Sequence, residues 1–144
     1  YPDYRKLSAD LLFKWNGFSL LAEYVNATAN GLNGLYVEKD EGAKLKPRQI
    51  ANYLALGNGL NVQAGYLFRK LWALDVAYSK VNPEWKETGQ SVLREADNIT
   101  FGASKYFNNN TFKLQLAGSY TSYNQLVGAG SKEFQVKLNL HILF

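Results

Sequence analysis

Phe134-Gln135-Val136-Lys137-Leu138-Asn139-Leu140-His141-Ile142-Leu143-Phe144 is the stretch whose reading decides the fold. Phe134, Val136, Leu138, Leu140, Ile142 and Phe144 fall on one side, and Glu133, Gln135, Lys137, Asn139, His141 and Leu143 on the other. Successive side chains of a strand point to opposite faces, so strict period-two alternation indicates a strand with one apolar and one polar face.

The same alternation recurs along the chain. Leu7, Ala9, Leu11, Phe13 and Trp15 alternate with Ser8, Asp10, Leu12 and Lys14. Asn16-Gly17 follows, a pair suited to a type I′ hairpin because both central residues there need positive φ. Phe18, Leu20, Ala22 and Tyr24 then return, with Trp15 expected opposite Phe18 and Phe13 opposite Leu20. Leu60 to Phe68 and Trp72 to Ser79 form a second hairpin around Arg69-Lys70-Leu71. Ile99 to Phe107 and Phe112 to Thr121 form a third around Asn108-Asn109-Asn110, with Lys105 interrupting the apolar row. About seven strands result. Short connections alternate with long ones, roughly Asn30–Gly59, Lys80–Ala96 and Asn124–Ser131. Gln49 to Leu56 is read either as loop or as an extension of the following strand, with a bulge at Gly57-Asn58-Gly59.

Composition narrows the class. The chain has 144 residues, 47% of them apolar and 15% aromatic, yet its mean hydropathy is −0.28. No run approaches the roughly 18 apolar residues of a spanning helix, so membrane entry would be by strands. Cysteine is absent, which removes disulfides and thiolate metal sites. The formal charge of +4 fits a solvated surface or an anion-favouring mouth. No dense basic patch interleaved with exposed aromatics is present, so nucleic acid is not an expected partner.

Aromatic placement favours a membrane barrel over a soluble one. Trp15 and Phe18 flank the first short turn, Phe68 and Trp72 the second, and Phe107 and Phe112 the third, while Phe144 is the last residue. These seven read as a girdle at one membrane boundary. Tyr24, Tyr78, Tyr120 and Tyr123 suggest a second row at the far boundary. The plain alternative is aromatic packing beneath hairpin ends of a soluble sandwich. The wet second face, rich in Ser, Asn, Gln, Thr and charged residues, argues against an apolar-lined soluble barrel. The expected fold is therefore an all-β, antiparallel transmembrane β-barrel of the bacterial (Gram-negative) outer membrane, in contact with lipid and lipopolysaccharide.

Strand parity adds an expectation about extent. Short turns lie on the periplasmic side of such barrels, and single-chain bacterial barrels carry an even number of strands. Seven strands ending in the periplasm would start outside the cell. The chain begins Tyr1-Pro2-Asp3-Tyr4, without a signal-like segment. Residues 1–144 thus read as the C-terminal segment of one larger barrel domain, needing the remainder of the barrel as partner. An overlooked strand within Leu45 to Leu56, completing a small barrel, is the competing explanation.

Leu60-Asn61-Val62-Gln63-Ala64-Gly65-Tyr66-Leu67-Phe68, then Trp72-Ala73-Leu74-Asp75-Val76-Ala77-Tyr78-Ser79-Lys80-Val81-Asn82-Pro83, resembles the phosphate-selective porin O/P family, as does Asn98-Ile99-Thr100-Phe101-Gly102-Ala103-Ser104-Lys105-Tyr106-Phe107 with its following Lys/Gln strand. The resemblance covers roughly Leu60 to Phe144. It implies a sixteen-stranded, homotrimeric porin for small anions such as phosphate. The family's anion path uses basic residues in regions outside this similarity, so no phosphate ligand is carried over. The terminal strand is similar to the signal read by the outer-membrane assembly machinery, although it lacks the glycine often found there.

The expected function is passive diffusion of ions and other small polar solutes, anions among them, through a water-filled pore, with no catalysis, cofactor or metal. A non-conducting small barrel acting as a structural, assembly or adhesion partner is the alternative. Candidate lumen-facing residues are basic Lys14, Lys113 and Lys137, and acidic Asp10, Glu23, Asp75 and Glu133. The lysines are expected at a similar height and could form a strip guiding anions; local pairing with the acids is the plainer reading. Lys105 would reach the interface from the lipid face. His141 is the single histidine, which excludes a multi-histidine metal site. The charged run Glu38–Arg48 reads as a solvated external loop that could meet lipopolysaccharide or a partner.

Overall fold

The computed structural model describes residues 3–31, 54–68, 71–84, 93–107, 112–124 and 130–142. These form seven strands: β1 (Asp3–Trp15), β2 (Phe18–Asn30), β3 (Gly57–Phe68), β4 (Trp72–Pro83), β5 (Ala96–Phe107), β6 (Phe112–Tyr123) and β7 (Ser131–Ile142). All lie in one sheet in sequence order, and every neighbouring pair is antiparallel. No helix occurs among the described residues. The sheet is not closed: β1 and β7 are its outer strands.

The first hairpin forms as its sequence requires. Asn16 and Gly17 adopt φ of 45° and 86°, and Trp15 stands opposite Phe18 with Phe13 opposite Leu20. The turn is also tied to the next strand, because Leu67 N–H donates to the Gly17 carbonyl at 2.8 Å. A Cβ at Gly17 would stand 2.8 Å from the Leu67 carbonyl oxygen. Glycine therefore answers two demands there, left-handed φ and close backbone approach. At the second hairpin Leu71 N–H donates to the Phe68 carbonyl at 2.9 Å, closing a tight connection between the paired Phe68 and Trp72.

Several strands run farther than the apolar alternation suggests. β1 begins at Asp3, β2 ends at Asn30 and β3 begins at Gly57, because polar residues continue the ladders beyond the apolar stretch. The bulge expected at Gly57-Asn58-Gly59 does not form. Gly57, Asn58 and Gly59 pair without interruption with Pro83, Asn82 and Val81, and the Asn82 carbonyl occupies the space where a Gly57 Cβ would stand. Leu54 to Leu56 form no strand; the rest of the Leu45 to Leu56 alternative, the Glu38–Arg48 run, the Asn108-Asn109-Asn110 turn and Phe144 lie outside the described residues.

Little of this sheet is held by a core. Among the described residues the buried apolar side chains are Ala27, Ala29, Leu56 and Ala73, whereas Trp15, Phe134 and Leu138 are 70%, 71% and 68% exposed. Cohesion comes from the ladders and from neighbouring side chains on each face.

Replacing Gly17 by Val should lower stability by about 2 kcal/mol, the combined effect of a left-handed β-branched residue and a crowded carbonyl. Asn16→Gly should stay within about 0.5 kcal/mol. Denaturant midpoints of the folded protein check both.

Candidate functional site

Paired residues of neighbouring strands share a face, so the six registers sort every side chain of the sheet. One complete row reads Trp15, Phe18, Tyr66, Leu74, Ala103, Leu116 and Leu138; the next reads Phe13, Leu20, Ala64, Val76, Phe101, Gly118 and Val136. All of these belong to one apolar face. The opposite face carries mainly polar and small residues, with Leu12, Leu21, Val25 and Leu67 among its apolar exceptions.

The aromatics next to the short turns lie on the apolar face. Trp15 pairs with Phe18, Phe68 with Trp72, and Phe107 with Phe112. Phe107 and Phe112 meet edge to face at 5.2 Å between ring centres. Tyr66, which the sequence reading left outside the girdle, packs on Phe68 at 4.6 Å. Its signal was available: it lies two residues from Phe68 on the same face.

At the other end the apolar face becomes polar. Lys80 and Asp97, directly opposite each other, form an ion pair at 3.5 Å, and Tyr78 donates its hydroxyl to Asp97 at 2.7 Å. Asn82 Nδ2 donates to Asn58 Oδ1 at 2.9 Å. Arg5 and Asp3 pair at 2.9 Å. The apolar face is thus a band bounded by aromatics on one side and by polar pairs on the other. Tyr24, Tyr78 and Tyr120 lie on this face, but Tyr123 does not. It pairs with Ala96 and Ser131 on the polar face, because Phe112, Leu114, Leu116 and Tyr120 fix the apolar parity of β6.

The charged candidates all occupy the polar face. One row runs Lys14, Ser19, Gly65, Asp75, Gly102, Ala117 and Lys137. A second runs Asp10, Glu23, Asn61, Ser79, Asn98, Thr121 and Glu133. The three lysines do not share one ladder row. Lys14 and Lys137 end one row at opposite edges, and Lys113 sits nearer the short-turn end, opposite Tyr106 and His141. No ion pair joins any of the three to Asp10, Glu23, Asp75 or Glu133 among the described residues, where Asp3 pairs with Arg5 and Lys80 with Asp97. Asp10 and Glu23 face each other, and Asn61 Nδ2 satisfies Glu23 Oε2 at 2.8 Å. Lys113 Nζ stands 5.3 Å from the Tyr106 ring centre. Asn98 donates to Thr121 at 2.6 Å and accepts from Thr100 at 3.0 Å.

The centre of the polar face is a depression of about 640 Å³ reaching from Lys14 across Gly65, Asp75 and Gly102 to Lys113 and Gln115. Its depth comes from small residues beside Asp75. A Cβ at Gly65 would stand 2.5 Å from Asp75 Oδ1 and 3.1 Å from Ser19 Oγ, so the carboxylate leans into the space that glycine leaves. Sequence reasoning identified Asp75 but missed Gly65 and Gly102, because only the register shows that they flank it. The arrangement offers hydrogen-bond donors, acceptors and both signs of charge along one wet surface.

Comparisons with protein-family models, with curated proteins and with solved structures return no match to this chain.

Gly65→Val should lower stability by about 1–3 kcal/mol through overpacking against Asp75 and Ser19. At Gly102 the nearest Asp75 atom would be 3.6 Å from a new Cβ, an ordinary contact, so Gly102→Ala should change stability by less than about 1 kcal/mol. Paired denaturant titrations distinguish the two.

Proposed function

We propose that this chain forms the C-terminal part of an outer-membrane porin, whose polar face lines a water-filled path for small polar solutes and whose apolar face meets lipid. The observation that carries this reading is the sorting of side chains across all seven strands into one exposed apolar face and one polar face. Contiguous exposed apolar surface of this extent marks an interaction site. Hydrocarbon is the partner that accepts such a surface with an aromatic border at one end and polar pairs at the other. Strands of 12 or 13 residues exceed the roughly 9–11 that a tilted crossing requires.

The outer strands support further partners. β1 and β7 run in the same direction, since each of the six ladders reverses the chain. Joining them directly would make a parallel pair, whereas an odd number of additional strands closes an all-antiparallel ring. Open edges in lipid leave N–H and C=O groups unsatisfied at several kcal/mol each, so in this reading the rest of a larger barrel pairs with both. Sixteen strands, a homotrimer and phosphate among the solutes come from the resemblance to phosphate-selective porins and belong to the same proposal. So do the outer-membrane location, contact with lipopolysaccharide and delivery through the terminal strand.

On the described polar face Lys6, Lys14, Lys113 and Lys137 are balanced by Asp10, Glu23, Asp75 and Glu133. Any anion preference contributed here depends on the lysines left without a carboxylate partner, Lys14 and Lys137 foremost. The intact protein in a planar bilayer should show stepwise ohmic conductance. Lys14→Glu with Lys137→Glu should move the reversal potential in a salt gradient toward cation preference, most clearly at low ionic strength. A folded, inserted protein without conductance would instead favour a structural or adhesive barrel.

A further inference from the structure

We infer that the apolar face carries a binding site for an anionic phospholipid, with Lys105 holding the headgroup phosphate and the adjacent depression taking an acyl chain. The inference rests on the membrane reading above and goes beyond it. The apolar face contains a depression of about 520 Å³. Ala64, Ala103 and Gly118 leave it open, while Tyr66, Phe101 and Leu116 rise around it. A Cβ at Gly118 would meet nothing within 4 Å, so the space is not filled from within the chain.

Charge selects the kind of lipid. Lys105 lies on the same face, two positions along β5 from Ala103, or roughly 7 Å toward the short turns at strand spacing. Its Nζ stands 4.8 Å from the Trp72 ring centre and 4.9 Å from that of Phe107. Two aromatic rings at the headgroup level thus fix an ammonium group at the boundary of the band. The other charges on this face, Asp3, Arg5, Lys80, Asp97 and Lys132, lie at the opposite end, four of them in ion pairs. Among the described residues no carboxylate pairs with Lys105. A cation placed at the end of an open apolar groove, with no anion of its own, is complementary to a phosphate diester carrying acyl chains.

The test uses the full chain with Trp15→Phe and Trp85→Phe, leaving Trp72 as the reporter beside Lys105. The protein is placed in phosphatidylcholine vesicles containing a minor fraction of brominated-chain phosphatidylglycerol or, separately, the same fraction of brominated-chain phosphatidylcholine. Trp72 quenching should indicate about fivefold enrichment of the anionic lipid, the size expected for one cation near a charged headgroup layer. Lys105→Gln should remove the preference while retaining quenching by the zwitterionic lipid, and Lys105→Arg should keep it. Equal quenching by both lipids, or a preference that survives Lys105→Gln, would overturn the lipid site while leaving membrane insertion intact. Absence of quenching by either lipid would overturn the site and the membrane reading together.

Discussion

Six ladders hold seven strands in registers of one parity, and every other property of the sheet depends on that agreement. Side chains alternate with period two, so a slip of one residue in any ladder would move all later apolar rows to the polar face. No such slip occurs between Asp3 and Ile142. The positive φ values at Asn16 and Gly17 set the first register. The Phe68–Trp72 pair, with the Leu71 N–H bonded to the Phe68 carbonyl, closes the third ladder, and the Phe107–Phe112 pair closes the fifth. Agreement over so many pairings produces two continuous surfaces where local patterning alone would produce patches.

Those surfaces impose opposite requirements. Large apolar residues in water are unfavourable by roughly 1.5–3 kcal/mol per side chain relative to burial, and β7 is exposed along its whole length. A soluble fold would cover such a face with a second layer, but the seven strands form one layer. In the proposed porin, hydrocarbon would supply the missing cover without a protein partner, and the polar face would then require water. Under that proposal the Asp75 carboxylate beside Gly65 and Gly102 and the Glu23–Asn61 bond would both belong to a hydrated wall. The same division would account for Lys105 resting on the Trp72 and Phe107 rings at the border of the apolar band.

Much of the sheet was legible because alternation and turn chemistry are local. Strand number, the Asn16-Gly17 hairpin, the Trp15–Phe18 and Phe13–Leu20 pairs, and the face of each charged candidate follow from spacing and turn type. Features set between strands were less visible. Tyr123 is aromatic and near a strand end, yet parity within β6 turns it to the polar face. Gly65 and Gly102 acquire meaning only when register brings both beside Asp75. Lys14 and Lys137 share a ladder row and Lys113 lies in another, because distance from a turn does not specify the row. The glycines at 57 and 59 suggested a bulge, whereas Asn58 and Asn82 hydrogen-bond across an uninterrupted ladder.

The central claim is that opposite faces of one strand meet hydrocarbon and water. The chain has no native cysteine, so Leu138→Cys and Asn139→Cys each give one labelling site on β7. In the membrane-reconstituted protein, a nitroxide at position 138 should collide chiefly with oxygen dissolved in lipid. One at position 139 should collide chiefly with a water-soluble nickel chelate. Chelate access to position 138, or the same environment at both positions, would contradict the account.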